Sequence, residues 1–440
     1  MKKKDIIIVC VIMLLYSLLS FWRLGSFKEP NTFTEARQLT FQLDTKQQIS
    51  NVVFFTGHEV KQIQIYLLMG EEEFLLPMPT DTYVFNWYEI GVNAEIDGLK
   101  IELAEETSLG EIAVLNQEGN TIDLVPLEAE GKVLQDEQDL VPEEITYYHN
   151  AYFDEIYFAR TAYEYANDLP AYEWSHPPLG KLLMAIPVKL FGMAPFYYRL
   201  MGNIAGILMI FVMYLFANKM FKSTKYSVLA ALMMALDNFH FAQTRMGTTD
   251  SFLVLFIMLS YYFMYCYITL PKEATNKKRY IMLLFTGIFI GCAISTKWTG
   301  LFAGMGLAII FLVYFLYDFI WAKQRKEQFK TILVCFLTCI IIPILIYISC
   351  YLFFPNIQYF PTKDLSGIIT ITKEMYRISF SISRATSFLF CLVYMATYAK
   401  TSMVCCNIFC RRTIYDFWNR KSCNLVDRYH KFSIFNHTSN

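Results

Sequence analysis

An acidic pair, Asp154 and Glu155, stands among aromatic and apolar side chains shortly before a series of long apolar runs. Carboxylates close to membrane segments are costly unless they are paired or take part in chemistry. A carboxylate in this position can deprotonate an incoming hydroxyl group as a general base. The same segment, 151–181, ends in a His-Pro-Pro-Leu-Gly-Lys run that begins at His176. We therefore expect the segment to carry a catalytic site that the rest of the chain positions.

A second set of polar residues lies near one end of the apolar runs. These residues are Arg199, Asp237, His240, Gln243, Arg245, Asp250 and Lys297. Arginine and lysine side chains in such a set can hold an anionic lipid phosphate. The alternative is structural, for example an ion pair between Asp237 and Arg245. The histidines are too dispersed along the sequence to predict a zinc site.

Composition indicates a membrane protein. Of the 440 residues, 55% are hydrophobic, 17% are aromatic and 18% are charged. A net charge of −1 argues against a nucleic-acid partner. No cysteine occurs between Trp22 and Lys222, so no disulfide framework supports that stretch.

The first part of the chain predicts a membrane anchor followed by a β-domain. Residues 1–25 contain a lysine-rich start and an apolar run, which favour a retained first transmembrane helix with a cytoplasmic N-terminus over a signal peptide. Residues 30–146 contain seven short alternating segments separated by turn residues, which predict an inserted β-sandwich of the jelly-roll type. Trp87 or Tyr88 could stack on a sugar, but a buried aromatic is the favoured interpretation.

The second part predicts a helical membrane domain. An outer loop with the acidic pair and an interfacial helix, 147–197, precedes six predicted transmembrane helices within 198–354. The predicted spans are Tyr198–Asn218, Tyr226–Gln243, Ser251–Leu270, Tyr280–Thr296, Leu301–Trp321 and Thr331–Phe354. Lysine and arginine concentrate in alternate connections, at 219–225, 271–279 and 322–330. The positive-inside rule therefore places the acidic pair and the β-domain on the outer face.

Four stretches resemble a known family in the order in which that family carries them. They are FDEIYFARTAYEY, YEWSHPPLGKLL, ALDNFHFAQTRMGTTDSFLVLF and AISTKWTGLFAG, all within Phe153–Gly304. They resemble the protein O-mannosyltransferases, which are polytopic, GT-C-type membrane enzymes of glycosyltransferase family 39. The resemblance implies transfer of mannose from a polyprenyl-phosphate carrier to Ser or Thr hydroxyls, with inversion and with no required cofactor or metal. The β-insert departs from the commonest family pattern.

Carried over residue by residue, the resemblance gives Asp154 the role of general base. Glu155 would help to orient the acceptor or the base, and Arg199 would hold the donor phosphate. The remaining site residues would shape the substrate site: His176, Asp237, His240, Arg245, Asp250 and Lys297. The implied partners are the lipid-linked donor, membrane lipids and secreted or surface proteins with Ser or Thr. The implied location is the plasma membrane with an extracytoplasmic site, and pairing of two chains as a dimer stays open.

Beyond an expected outer loop at 355–377, the sequence stops resembling the family. Permissible codons for Ile378–Val404, read one nucleotide later, can encode a family-like loop and helix. Met395 and Met403 each precede a residue whose codons begin with G, so both force tryptophan in the shifted frame, where the family pattern accepts it. The sequence therefore predicts a frameshift near Arg377, an out-of-frame tail at 378–440 and a truncated, inactive form as one outcome.

Two other functions stay open on the sequence alone. One is a different polyprenyl-phosphate-sugar glycosyltransferase of the same architecture. The other is a non-catalytic membrane protein that binds sugar through its β-domain. Replacement of Asp154 separates an enzyme from such a binder, because only the enzyme requires a general base at this position.

Overall fold

The protein is described here by a computed structural model that covers four stretches of the chain, 3–271, 273–321, 325–352 and 364–385. The chain divides into compact units of residues 1–371 and 372–440. The predicted out-of-frame tail lies outside the described residues except for 378–385, which are helical. A helix from Leu365 to Ala385 also occupies part of the expected outer loop.

The insert between the first helix and the acidic pair is a β-domain, and all of its residues are described. Its seven strands, β1 to β7, have the bounds Gln38–Thr56, Ile63–Met69, Glu72–Leu75, Trp87–Leu103, Leu109–Leu115, Thr121–Ile122 and Val125–Pro126. They form one antiparallel sheet in the order β3-β2-β4-β1-β5-β6, with β7 paired to β1. Two short 3-10 helices follow, at Ala129–Gln135 and Gln138–Leu140.

Strand β1 is the centre of this sheet. It pairs with β4 along almost its whole length, with register shifts between Gln42 and Gln47 and between Ile49 and Asn51. Successive side chains of β1, such as Phe54 and Phe55, pack into two different hydrophobic clusters because successive residues of a strand face opposite sides of the sheet. The β-domain and its antiparallel strands are as expected, whereas the division into the two sheets of a sandwich stays a prediction.

The helical part begins with α1 and resumes after the β-domain. The described residues contain twelve α-helices, α1 to α12, at Lys3–Phe21, Glu155–Ala166, Leu179–Phe191, Pro195–Phe221, Thr224–Ala235, Asn238–Thr244, Asp250–Ile268, Asn276–Thr296, Thr299–Trp321, Arg325–Phe336, Ile342–Leu352 and Leu365–Ala385. Within these residues, six helical stretches are long and apolar enough to cross a membrane: Lys4–Phe21, Pro195–Phe221, Asp250–Ile268, Asn276–Thr296, Thr299–Tyr317 and Gln328–Leu352.

The predicted single helix Tyr226–Gln243 is wrong, because the chain breaks at Asp237 into α5 and α6. The Asp237 carboxylate caps α6 by accepting hydrogen bonds from the backbone N–H groups of Phe239, at 3.3 Å, and His240, at 3.2 Å. Aspartate is a favoured N-cap residue, and a cap requires the chain to enter the helix from a non-helical conformation. Asp237 thus has a structural role as a cap, and its predicted substrate contact stays a prediction.

The broken pair α5 and α6 runs parallel to α1. Thr224, at the start of α5, donates a hydrogen bond to Asp5 at 2.6 Å, while Thr244, at the end of α6, lies 3.2 Å from the hydroxyl of Tyr16. Together the two short helices therefore extend along α1 from one end towards the other. The end of α1, the end of α6 and the beginning of α7 consequently lie at the same end of the helical domain.

Helix α8 is held close to the last membrane-length stretch by two glycines. A Cβ on Gly287 would lie 1.8 Å from the carbonyl oxygen of Thr338, and one on Gly291 would lie 2.8 Å from Pro343. Small residues spaced by four allow such close helix contact in membranes. The π-helical turn Leu337–Ile341 directly precedes Pro343, which has no N–H group with which to continue a regular helix.

Candidate active site

A buried ion pair joins the acidic motif to the helical domain. Glu155 is the first residue of α2, Arg199 lies in the first turns of α4, and their exposed fractions are 0% and 3%. The guanidinium donates from Nε and Nη2 to the two carboxylate oxygens, each at 2.7 Å. This two-point geometry fixes both side chains, because the planar guanidinium matches the carboxylate.

The other polar groups of this pair are also satisfied by the protein. Arg199 donates to the carbonyl oxygens of Leu24 at 2.9 Å, Tyr147 at 2.8 Å and Asn150 at 3.0 Å. All five guanidinium N–H groups thus have protein acceptors. Glu155 in turn accepts the backbone N–H of Gly247 at 2.6 Å. This geometry does not support the expected phosphate contact of Arg199, since a phosphate would have to displace one of these acceptors.

Asp154 differs from Glu155 in having its carboxylate available. It lies at the N-cap position of α2, is half-buried and forms no capping hydrogen bond. The preceding residue, Phe153, is 57% exposed and has a positive φ of 54°, a backbone conformation that is costly for a bulky side chain. Backbone strain of this kind is often found at functional sites. The turn therefore presents Asp154 beside the buried pair and leaves it partly exposed.

Charged groups from three other segments act on Asp154. Burial raises the pKa of Asp154 above its usual value, the positive charges of Lys297 and His176 oppose that rise, and the carboxylate of Asp250 adds to it. Lys297, at the end of α8, donates to Asp250, at the start of α7, at 2.9 Å. A carboxylate with a raised pKa is a better proton acceptor near neutral pH, provided that it is ionised.

His176 belongs to a second ion cluster beside Asp154. Its Nδ1 lies 3.1 Å from Glu173, which also pairs with the fully buried ammonium of Lys181. Burial alone would raise the pKa of Glu173, but the charges of Lys181 and His176 outweigh it and hold the pKa well below its usual range. Lys181 also donates to the carbonyl oxygens of Glu173 at 2.7 Å and His176 at 3.0 Å, so this cluster fixes the loop before α3.

Glu173 and Lys181 belong to the site region, although the sequence did not single them out. The signal was present, because the two opposite charges flank the His-Pro-Pro run at either end. Gly180 allows close packing within this run, because a Cβ there would lie only 2.7 Å from the side chain of Thr249, just before α7. The run therefore connects α3 tightly to the helix that carries Asp250.

His240 and Arg245 contact helix α1 and the residues that follow it. The ring of His240 is buried, 5.7 Å from the ring of Tyr16. Arg245 donates to the carbonyl oxygens of Trp22 at 2.7 Å and Arg23 at 2.9 Å. Their contacts hold the ends of α1 and α6 together, which is a structural role, and their predicted substrate contacts stay predictions.

Neither a cavity near this end nor Trp87 supports a sugar site. A cavity of about 190 Å³ lies at the end of α1 and is lined mainly by aromatic and apolar residues: Phe21, Trp22, Arg23, Leu24, Gly25, Phe27, Tyr148 and Phe196. It contains none of the predicted site residues. Trp87 is 1% exposed, as expected for a buried aromatic, and its indole N–H donates to Glu29 at 2.6 Å.

The helical domain is similar to known proteins. Residues 191–360 match the family described as dolichyl-phosphate-mannose-protein mannosyltransferase. The matched region contains Arg199, Asp250 and Lys297, whereas the acidic pair and His176 precede it.

Curated relatives that this chain resembles come from fungi and bacteria. Dolichyl-phosphate-mannose--protein mannosyltransferase 4 of Candida albicans is 26% identical over 44% of this chain and 28% of its own length. The polyprenol-phosphate-mannose--protein mannosyltransferase of Mycolicibacterium smegmatis is 26% identical over 39% of this chain and 37% of its own length. The chain thus spans about a third of the length of these relatives.

Solved structures show weaker likeness. The Saccharomyces cerevisiae protein O-mannosyltransferase Pmt1-Pmt2 complex, bound to the sugar donor, matches with a TM-score of 0.42 and 24% identity, over 45% of this chain and 29% of that chain. ArnT from Cupriavidus metallidurans in the apo state matches with a TM-score of 0.37 and 18% identity, over 46% of this chain and 37% of that chain.

Proposed function

We propose that the protein is a membrane glycosyltransferase that transfers mannose from a polyprenyl-phosphate carrier to Ser or Thr hydroxyls of proteins. The family match of residues 191–360 supports the reaction class, and the names of the relatives support the donor and acceptor classes. The observation that carries the assignment to this site is the half-buried Asp154 carboxylate, which has no capping bond and interacts electrostatically with Lys297, Asp250 and His176.

In the proposed reaction, Asp154 accepts the proton of the acceptor hydroxyl. The hydroxyl oxygen forms a bond to the anomeric carbon of mannose, and the bond from that carbon to the phosphate oxygen breaks. The polyprenyl phosphate leaves from the opposite face, which inverts the configuration of the sugar. Asp154 is suited to this role because burial raises its pKa and because it stands in a strained turn at the start of α2.

We assign the electrostatic stabilisation of the departing phosphate to Lys297, in place of Arg199. The Lys297 side chain is 24% exposed and has one acidic partner, Asp250, whereas Arg199 is 3% exposed and has acceptors for all five N–H groups. A phosphate can therefore approach the ammonium of Lys297 at lower cost than the guanidinium of Arg199. The Glu155–Arg199 pair then acts by positioning the turn that carries Asp154.

The proposed site faces the extracytoplasmic side of the membrane. The hydrogen bonds from Arg199 to Leu24 and from Gly247 to Glu155 support a position of the acidic motif at the end of the helical domain where α1 and α6 end. Basic residues concentrate at the opposite end, including Lys219, Lys222, Lys277 and Lys278. By the positive-inside rule, that opposite end is cytoplasmic. Helix α3 presents an exposed apolar side to the interface, with Leu190 68% and Phe191 61% exposed.

The purified full chain in lipid nanodiscs provides the direct test. It is incubated with radiolabelled polyprenyl-phosphate mannose and a Ser/Thr-rich peptide, and the same peptide with alanine at every Ser and Thr serves as the control. We expect label in the first peptide alone, and less label when the carrier bears glucose. Equal transfer from both carriers would overturn the mannose assignment, and no transfer from either would overturn the proposed activity.

A further inference from the structure

The β-domain contacts the acidic motif through the start of strand β4. The backbone N–H of Trp87 donates to Oδ1 of Asn150 at 2.8 Å, and Nδ2 of Asn150 donates to the carbonyl oxygen of Trp87 at 2.9 Å. The amide side chain of Asn150 thus satisfies both backbone groups of one residue, as a neighbouring strand would. This reciprocal contact fixes Asn150 relative to the sheet.

The adjacent residues extend this contact towards Asp154. Asn86 is 4% exposed, and its Oδ1 accepts the backbone N–H of Ala151 at 3.0 Å. Ala151 lies three residues before Asp154 in the sequence. The segment that leads into the acidic pair is therefore held by two consecutive residues of the β-domain.

The same segment is bound by the buried pair on its other side. The backbone carbonyl of Asn150 accepts a hydrogen bond from Arg199 at 3.0 Å, and that of Tyr147 accepts one at 2.8 Å. Asn150 therefore contacts the β-domain with its side chain and the helical domain with its backbone. Because Arg199 also donates to Glu155, Arg199 connects Asn150 to the neighbour of Asp154.

A second set of contacts joins the β-domain to helix α2 itself. Nη2 of Arg160 donates to both carboxylate oxygens of Glu59, each at 3.1 Å. The ring of Tyr163 lies 4.6 Å from that of Phe85, next to Asn86 in sequence. Helix α2 therefore contacts the β-domain through Arg160 and Tyr163, one and two turns after the acidic pair.

We infer that the β-domain is a positioning element of the active site and that Asn150 is the residue that transmits its position to Asp154. This inference rests on the proposed function for its consequence in catalysis, although the contacts themselves are independent of it. Without the Asn150 and Asn86 contacts, the turn 151–154 would be held by the helical domain alone. A shift of about 1 Å in a catalytic group can reduce a rate about 100-fold.

The test compares Asn150→Ala with wild type in two measurements on the full chain in nanodiscs. Hydrogen–deuterium exchange at 151–158 should become about tenfold faster, because two hydrogen bonds are lost. The kcat for mannose transfer should fall about 10- to 100-fold, with the KM for the lipid donor changed less than about twofold, since the donor contacts stay in place. Asn150→Asp keeps the acceptor for Trp87 and should give an intermediate loss.

Asn167→Ala is the matched control, because Asn167 is an exposed asparagine at the other end of α2 that bonds only to Tyr163 at 2.9 Å within the described hydrogen bonds. It should leave both measurements as in wild type. If Asn150→Ala fails to fold, Asn86→Ala removes the Ala151 contact and should give the same pattern. Unchanged exchange and kcat in these variants would overturn the inference. Faster exchange in Asn150→Ala than in wild type, together with no mannose transfer by the wild type, would support the positioning of 151–154 by the β-domain and overturn the proposed function.

Discussion

Replacing Arg199 with alanine separates a positioning role from a phosphate contact. The variant would leave the fully buried carboxylate of Glu155 without its cation and would remove donors from three backbone carbonyls. Removing one partner of a buried ion pair costs about 3–5 kcal/mol. We therefore expect Arg199→Ala to lower the free energy of unfolding by about that amount.

Thermal unfolding of the full chain in detergent, followed by tryptophan fluorescence, measures this loss. A cost of this size should lower the midpoint by about 10 °C. Arg37→Ala is the control, because Arg37 forms an exposed pair with Glu105 at 3.2 Å, with both side chains more than half exposed. Exposed pairs contribute about 0–1 kcal/mol, so this variant should unfold within about 2 °C of wild type.

A double-variant cycle isolates the pair itself. Glu155→Leu combined with Arg199→Met should cost less than the sum of the two single changes by at least about 1.5 kcal/mol. Each single variant leaves one lone buried charge, whereas the double variant leaves none. The opposite result would be a wild-type midpoint for Arg199→Ala together with a raised KM for the lipid donor. That result would show a phosphate contact and would refute the positioning role.

Three further predictions follow from the charged clusters. Lys181→Met should lower the free energy of unfolding at pH 7 by about 3–5 kcal/mol. The difference from wild type should shrink below about pH 4.5, because Glu173, whose pKa is lowered in the folded state, loses its contribution to stability there, and thermal unfolding between pH 3 and 7 measures both effects. Burial raises the pKa of Glu111 to about 7, so wild-type stability should fall as pH rises from about 4.5 to 7, and Glu111→Gln should remove that slope in the same measurement. Lys297→Met should raise the donor KM and move the acidic limb of the kcat profile to higher pH, because Lys297 opposes the burial that raises the pKa of Asp154; an unchanged profile would contradict that coupling.

Apolar run length predicted the membrane helices well where a run was uninterrupted. Helices α4, α7, α8 and α9 lie close to their predicted bounds because continuous apolar sequence leaves few other structures in a membrane. The break at Asp237 was not predicted. Its side chain was interpreted as a functional charge at membrane depth, but a capping role depends on local backbone geometry that hydropathy does not report.

The β-domain was predicted in type but not in strand length. Residues 44–48 are polar, a pattern that predicts a connection between two strands, whereas they continue β1 through a register shift. Strand β3, Glu72–Leu75, was missed because all four residues are exposed and show no alternation. Edge strands of this kind are specified by their neighbours more than by their own pattern.

The residues of the candidate site were easier to predict from the sequence than the contacts between them. The sequence pointed to Glu155 and Arg199 separately, but it could not show that they pair across 44 positions of the chain. Nor could it show that Asn150 connects this pair to Trp87, because a loop asparagine has no distinctive pattern. Such contacts depend on the docking of the β-domain and helix α2, which local sequence does not determine.

The most direct test of the central claim is the transfer rate of Asp154→Asn measured in a single turnover with donor already bound. The full chain is used in nanodiscs, with Asp168→Asn, an exposed aspartate just beyond α2, as the matched control. If Asp154 is the general base, its variant should transfer mannose about 100- to 10,000-fold more slowly while binding the donor within about threefold of wild type. Transfer by Asp154→Asn at the rate of the control would contradict the account.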